Sequence, residues 1–173
     1  AENALRFNWN ESQLRDVMST HVHMVNGVYN GQAGNDVNAL RQTAWRNGVR
    51  MSEPTLQSYA QQIGKGNATV GFYQNLIRKQ AKALAPGFAD EIDAGMDLYD
   101  IASPYIQAKA KILEKDPAAI DLFDNDVRKA LSARDQAGKP TSMSLWQFEQ
   151  NMRKSPEWLS TQNAQDSTMQ VAR

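Results

Sequence analysis

The chain has no cysteine, which excludes disulfides, thiolate nucleophiles and cysteine-ligated zinc and leaves the redox compartment open. Histidine is nearly absent: His21 and His23 stand two residues apart, whereas metal-binding pairs on a helix need a spacing of three or four. A core or boundary role for His21 is expected, with no metal site and no cofactor. Neither sign of charge dominates, since 19 Lys plus Arg balance 19 Asp plus Glu. That removes the usual warrant for gripping nucleic acid through its phosphates. No apolar run approaches the roughly 20 residues a membrane-crossing helix requires, and Ala1-Glu2-Asn3 lacks the charged and apolar regions of a signal peptide. The expectation is a chain neither inserted in a membrane nor addressed for secretion. Because it does not begin with Met and its helical periodicity persists to the end, a processed product or part of something longer is also expected.

What the sequence has in quantity is helix. Alternating, β-branched strand patterns are scarce, so the expected fold is all-α: about eight short to medium helices joined by Gly, Pro and Asn turns, with no sheet. Asn10 with Gln13 can cap a first helix whose stripe is Leu14, Val17, Met18, His21, Val22 and Val25, ending near Asn26-Gly27. Tyr29 to Asn35 suggests a loop, after which Asn35 or Asp36 caps a second helix carrying Val37, Leu40, Arg41 and Ala44 up to Gly48. Ser52 caps a third helix (Leu56, Tyr59, Ala60, Ile63), and Thr69 opens a fourth through Leu84. A short helix over 88–94 follows. The next segment, from Asp97, should break at Ser103 and restart with Pro104 in its first turn, because proline has no amide hydrogen to give a helix interior. Asp124 caps a short helix from Asn125 to about Leu131, and Ser144 with Gln147 forms a capping box for a helix to about Lys154. A last helix is expected from about Glu157. The organisation expected is an N-terminal hairpin (1–50), a central helical region (51–131), a polar mobile linker (132–143) and a C-terminal hairpin (144–173).

Motifs with chemistry are few. Glu11-Ser12 resembles the Glu-Ser opening of lytic transglycosylases, where the Glu is the general acid. Here it follows Trp9-Asn10 at a helix start, where an acidic first-turn residue favoured by the helix dipole explains it. The acidic groups at Asp90, Glu91, Asp93, Asp97, Asp100 and at Asp121, Asp124, Asp126 lack the order of a calcium loop and suit caps and solvated faces. Gly64-Lys65-Gly66 lacks the Gly-Lys-Ser/Thr ending of a phosphate loop. The basic strip Arg78, Lys79, Lys82, continued by Lys109, Lys111 and Lys115, suits a solvated face. Four tryptophans, Trp9, Trp45, Trp146 and Trp158, lie near helix ends, where packing one helix onto the next is the expected role. Trp45, Trp146, Trp158 and Tyr105 are the candidates for an interface.

A set of short blocks runs in order along the chain: Met51-Ser52-Glu53 with Leu56, Ala60 and Ile63; Ala102-Ser103-Pro104-Tyr105-Ile106; Ile120-Asp121-Leu122; Met143-Ser144-Leu145 with Trp146 and Phe148; and Arg153-Lys154-Ser155-Pro156-Glu157-Trp158 with Thr161 and Ala164. From about Met51 onward, the chain thereby resembles a helical segment of tailed-bacteriophage virion proteins, the C-terminal part of tail tape measure proteins and the related internal or ejection proteins. The resemblance implies a structural protein and not an enzyme. It would assemble as a homo-oligomer with other tail proteins in the tail lumen, at the tail tip or inside the particle, and be released on DNA delivery into the host envelope. Passing DNA would be met without specific binding. The chain departs from the family in lacking the long coiled-coil or apolar region of a complete tape measure protein, so a fragment or small relative is implied. Two other classes stand beside it: a peptidoglycan-cleaving enzyme acting through Glu11, and a helical adaptor unrelated to virions.

Overall fold

A computed structural model describes residues 13, 24–25, 28–29 and 31–171 of the chain. Its described elements are two two-residue strands and eight α-helices: β1 (Met24–Val25), β2 (Val28–Tyr29), α1 (Gly31–Arg46), α2 (Glu53–Gly64), α3 (Val70–Leu84), α4 (Ala89–Asp93), α5 (Leu98–Leu113), α6 (Asn125–Leu131), α7 (Leu145–Arg153) and α8 (Gln162–Val171). Short 3₁₀ turns stand at Pro86–Phe88, Pro117–Ala119 and Trp158–Ser160. The fold is all-α, as expected, apart from the small ladder that pairs Met24 with Tyr29 and Val25 with Val28. Most of the expected first helix lies outside the described residues, but Met24 and Val25 are strand and not its last turn. Asn-Gly, taken above as a helix stop, is equally the dipeptide that two-residue hairpins favour.

The chain forms two compact units, one of residues 1–45 and 49–77 and the other of residues 46–48 and 78–173. In the first, Val37, Leu40 and Ala44 of α1, Leu56 and Ala60 of α2, and Tyr73 and Ile77 of α3 are buried. Tyr59 stacks on Tyr73 with ring centroids 3.8 Å apart, and Gln74 donates to the Thr43 hydroxyl at 3.2 Å. Ser52 caps α2 as expected, its hydroxyl accepting from the Thr55 amide. α1 begins one turn earlier than the cap expected at Asn35 or Asp36. Asp36 does not cap; it is buried within the helix and accepts from the Gln32 amide at 2.8 Å. Buried Gly34 extends the Val37, Leu40, Ala44 stripe backward, so packing overrides the loop composition. α1 ends at Arg46, and Gly48 just beyond it has a φ of 65°, the left-handed conformation glycine adopts without strain.

The second unit is organised by α5. Its buried face, Leu98, Ala102, Tyr105, Ile106, Ala110 and Leu113, runs the length of the helix, packing against α6 and most extensively against α7. This corrects the expected break at Ser103: Pro104 sits inside a continuous helix. The hydrogen bond it cannot donate would go to the carbonyl of Asp100, and both residues are exposed, so water can satisfy that carbonyl while packing holds both halves in line. Asp124 caps α6 through the amides of Asp126 and Val127, and both reciprocal bonds of the Ser144–Gln147 capping box are present at α7. Phe148 and Met152 are buried in the same core as Tyr105.

The tract 132–143 lies within the second unit. Asp135 accepts from the amides of Ala137 and Lys139, Thr141 donates to the Ala133 carbonyl, and Met143 donates to that of Ala130. The single last helix expected from Glu157 is instead a 3₁₀ turn followed by α8. Thr161 interrupts it in extended conformation and uses its hydroxyl to cap the Ala164 amide at 3.2 Å. Glu114, from a left-handed position at the end of α5, accepts the Gln162 and Asn163 amides at 2.9 and 2.8 Å, which fixes the start of α8 to the end of α5.

Restoring the missing amide at an exposed helix-interior proline should stabilise the chain. Pro104→Ala is expected to raise the unfolding free energy by about 1–2 kcal/mol, the roughly 3 kcal/mol helix penalty of proline less the extra freedom it returns to the unfolded chain. Urea denaturation followed by circular dichroism measures it, and an unchanged or lowered midpoint counts against the account of Pro104.

Candidate functional site

The interface candidates divide sharply. Tyr105 belongs to the core: its ring meets Phe148 edge-on with centroids 5.3 Å apart, and its hydroxyl donates to the Met143 carbonyl. It therefore presents no surface to a partner. Trp158 is half-buried against the core of the second unit. Trp45, in the first unit, is 46% exposed, and Trp146 is 69% exposed beside Leu145 at 40%. The core packing expected of the tryptophans fails for Trp146, because Phe148 and Met152 occupy the buried face of α7 and leave Trp146 on its other side. Trp9, Glu11, His21 and His23 lie outside the described residues.

The charged residues serve as caps and clamps. Asp93 receives Lys82 at 2.7 Å. Arg46 binds Asp97 and Asp100, and the fully buried Asn47 donates to Asp97 at 2.9 Å while accepting the Leu98 amide at 3.2 Å. Arg78 lies 3.8 Å from Asp97. Pairing thus engages Arg78 and Lys82 of the expected basic strip. Burial pushes the Asp97 carboxyl up, but the bonds from Arg46 and Asn47 and the nearby cations outweigh it, so its pKa is lowered.

Lys109 departs from the expectation for the basic strip. Expected on a solvated face, it is 5% exposed and binds Asp124 at 2.7 Å and Asp126 at 2.7 Å. Its position gave a signal, since Lys109 falls on the stripe of Tyr105, Ile106 and Leu113. Burial would lower its pKa, yet the two carboxylates raise it overall. Asp124 responds in the opposite sense: burial raises, while Lys109 and the Val127 and Asp126 amides lower it further. One lysine therefore ties the start of α6 to the middle of α5. The acidic cluster here is a structural clamp, and among the described residues no group of three or more His, Cys, Asp or Glu could hold a metal. Among them, too, no helix is long and apolar enough to cross a membrane.

No family model matches the chain, and searches of the curated proteins and of the solved structures find no match to it. What the geometry offers chemically is contact: a capped, well-anchored helix that carries a bare Trp-Leu pair into solvent. Large aromatic side chains of this kind are the usual anchors of protein interfaces.

The clamp has a pH signature. Asp97 and Asp124 have lowered folded-state pKa values, so their stabilisation is present above the ordinary carboxylate value of about 3.9 and lost as pH falls through the folded values. Lys109 has a raised one, so its contribution is complete below about 10.4 and lost as pH rises through the folded value. Urea midpoints should be flat between about pH 5 and 10 and fall on the acid side. That acid limb should be shallower in Asp124→Asn. Lys109→Met, which strands two carboxylates, should lose about 3 kcal/mol at neutral pH.

Proposed function

We propose that the chain is a structural protein of a tailed-bacteriophage virion, a tape-measure-like or internal ejection component. It assembles with copies of itself and other tail proteins in the tail lumen, at the tail tip or inside the particle, and is released during DNA delivery. The observation that carries this reading is what the resembling blocks do. From Ala102 to Ala164 they occupy one packed unit, where Ala102, Tyr105, Ile106, Ile120, Leu122 and Phe148 form core. Ser144 and Thr161 are caps. The most exposed aromatic among them is Trp146. Residues that fold a scaffold and hold out a tryptophan suit a protein that works by interaction and release. Overall neutrality suits a component that packs against protein walls without gripping passing DNA.

Mass spectrometry of purified particles of the encoding phage should find the chain in the mature virion, and its absence there would overturn the proposal. Trp146→Ala should leave the unfolding free energy within about 0.5 kcal/mol of the parent, as exposed substitutions do, while lowering incorporation into particles. Zymography on cell-wall material should show no clearing. Clearing that disappears in Glu11→Gln would replace this reading with a peptidoglycan-cleaving enzyme.

A further inference from the structure

Within the second unit a cleft of about 430 Å³ opens between α5, α7 and α8, in the size range of sites built between helices. Half-buried Ala108 and Trp158 supply apolar surface over the buried Ile112; Lys111, Glu149, Arg153 and Asn163 supply the polar part of its lining. Two features distinguish it from a surface dent. First, its α5 and α8 walls are tied together, because Glu114 caps α8 and the Asn163 side-chain Nδ2 donates to the Lys111 carbonyl at 3.4 Å, so the cleft exists before anything enters it. Second, the exposed Lys111 ammonium joins no ion pair among the described residues. Arg153 meets only Glu149, on its own helix, at 3.4 Å. The lining thus carries two cations and one anion around an aromatic surface.

We propose that this cleft docks an acidic peptide segment of a partner protein, one in which Asp or Glu flanks Leu or Phe. The apolar side chain lies on Trp158 and Ala108 while a carboxylate meets Lys111 and Arg153. A nucleic-acid strand fits less well, since it needs a row of cations and Glu149 interrupts this one. A free anion has no buried charged side chain to hold it, so the apolar contact is required. The inference stands on the cleft alone and does not depend on the virion reading.

The test uses the full chain labelled with ¹⁵N. The Trp158 indole N–H signal is assigned by its loss in Trp158→Phe, then followed during titration with the tetrapeptide acetyl-Glu-Leu-Phe-Glu-amide. The acidic peptide should move that signal saturably. The neutral acetyl-Gln-Leu-Phe-Gln-amide should bind about tenfold more weakly, and exposed Lys111→Glu, with its spectrum otherwise intact, should weaken the acidic peptide by a similar factor. About 0.5 M sodium chloride should also weaken it. No movement, equal movement by the neutral peptide, an equal response to sodium acetate, or unchanged binding in Lys111→Glu would each overturn the proposal.

Discussion

The second unit depends on α5 being buried along its whole length, and above all on the contact between Tyr105 and Phe148. That contact sets α7 on α5. The Tyr105 hydroxyl reinforces it by holding the carbonyl of Met143, just before the α7 cap. Magnitudes separate the parts. Burying a phenylalanine contributes about 2–3 kcal/mol, and an aromatic pair adds about 1 kcal/mol. A single neutral hydrogen bond contributes about 1 kcal/mol. The Lys109 cluster is of another kind: the desolvation of three charges offsets most of their attraction, so its effect is to fix where α6 begins more than to hold the unit together. Apolar contact provides the stability, and polar contact selects the arrangement.

The same arrangement turns Trp146 outward. Its helix is closed at the start by two reciprocal capping bonds and held at the back by Phe148 and Met152, so the backbone beneath the exposed ring has already lost its freedom in folding. An aromatic on such a base binds with less ordering cost than one on a loop. The cleft between α5, α7 and α8 shares this property, since Glu114 and Asn163 bind its α5 and α8 walls to each other. Both surfaces are thus set by the fold before any partner arrives.

Local rules were legible in the sequence, and long-range ones were not. Ser52, Asp124 and Ser144 were recognisable as caps because a cap is decided within four residues, and Gly48 as a helix end for the same reason. Pro104 and the start of α1 went the other way. Their local preferences were overridden by packing against residues distant in the chain, which no window of neighbours reveals. Lys109 was misplaced because its partners, Asp124 and Asp126, stand 15 and 17 residues away. The tryptophans illustrate the limit most clearly. Size and hydrophobicity argue for burial, but which face of α7 turns inward was decided by Phe148 two residues further on, and Trp146 was left outside.

The central claim is that α7 is a rigid, α5-anchored platform for Trp146. Native-state hydrogen exchange tests it most directly, by resolving the amides of α7 in the isolated chain. The account expects the amides from Phe148 to Arg153 to open only with global unfolding, together with those at the centre of α5. Exchange of α7 through a separate opening of much lower free energy, while α5 stays protected, would contradict it.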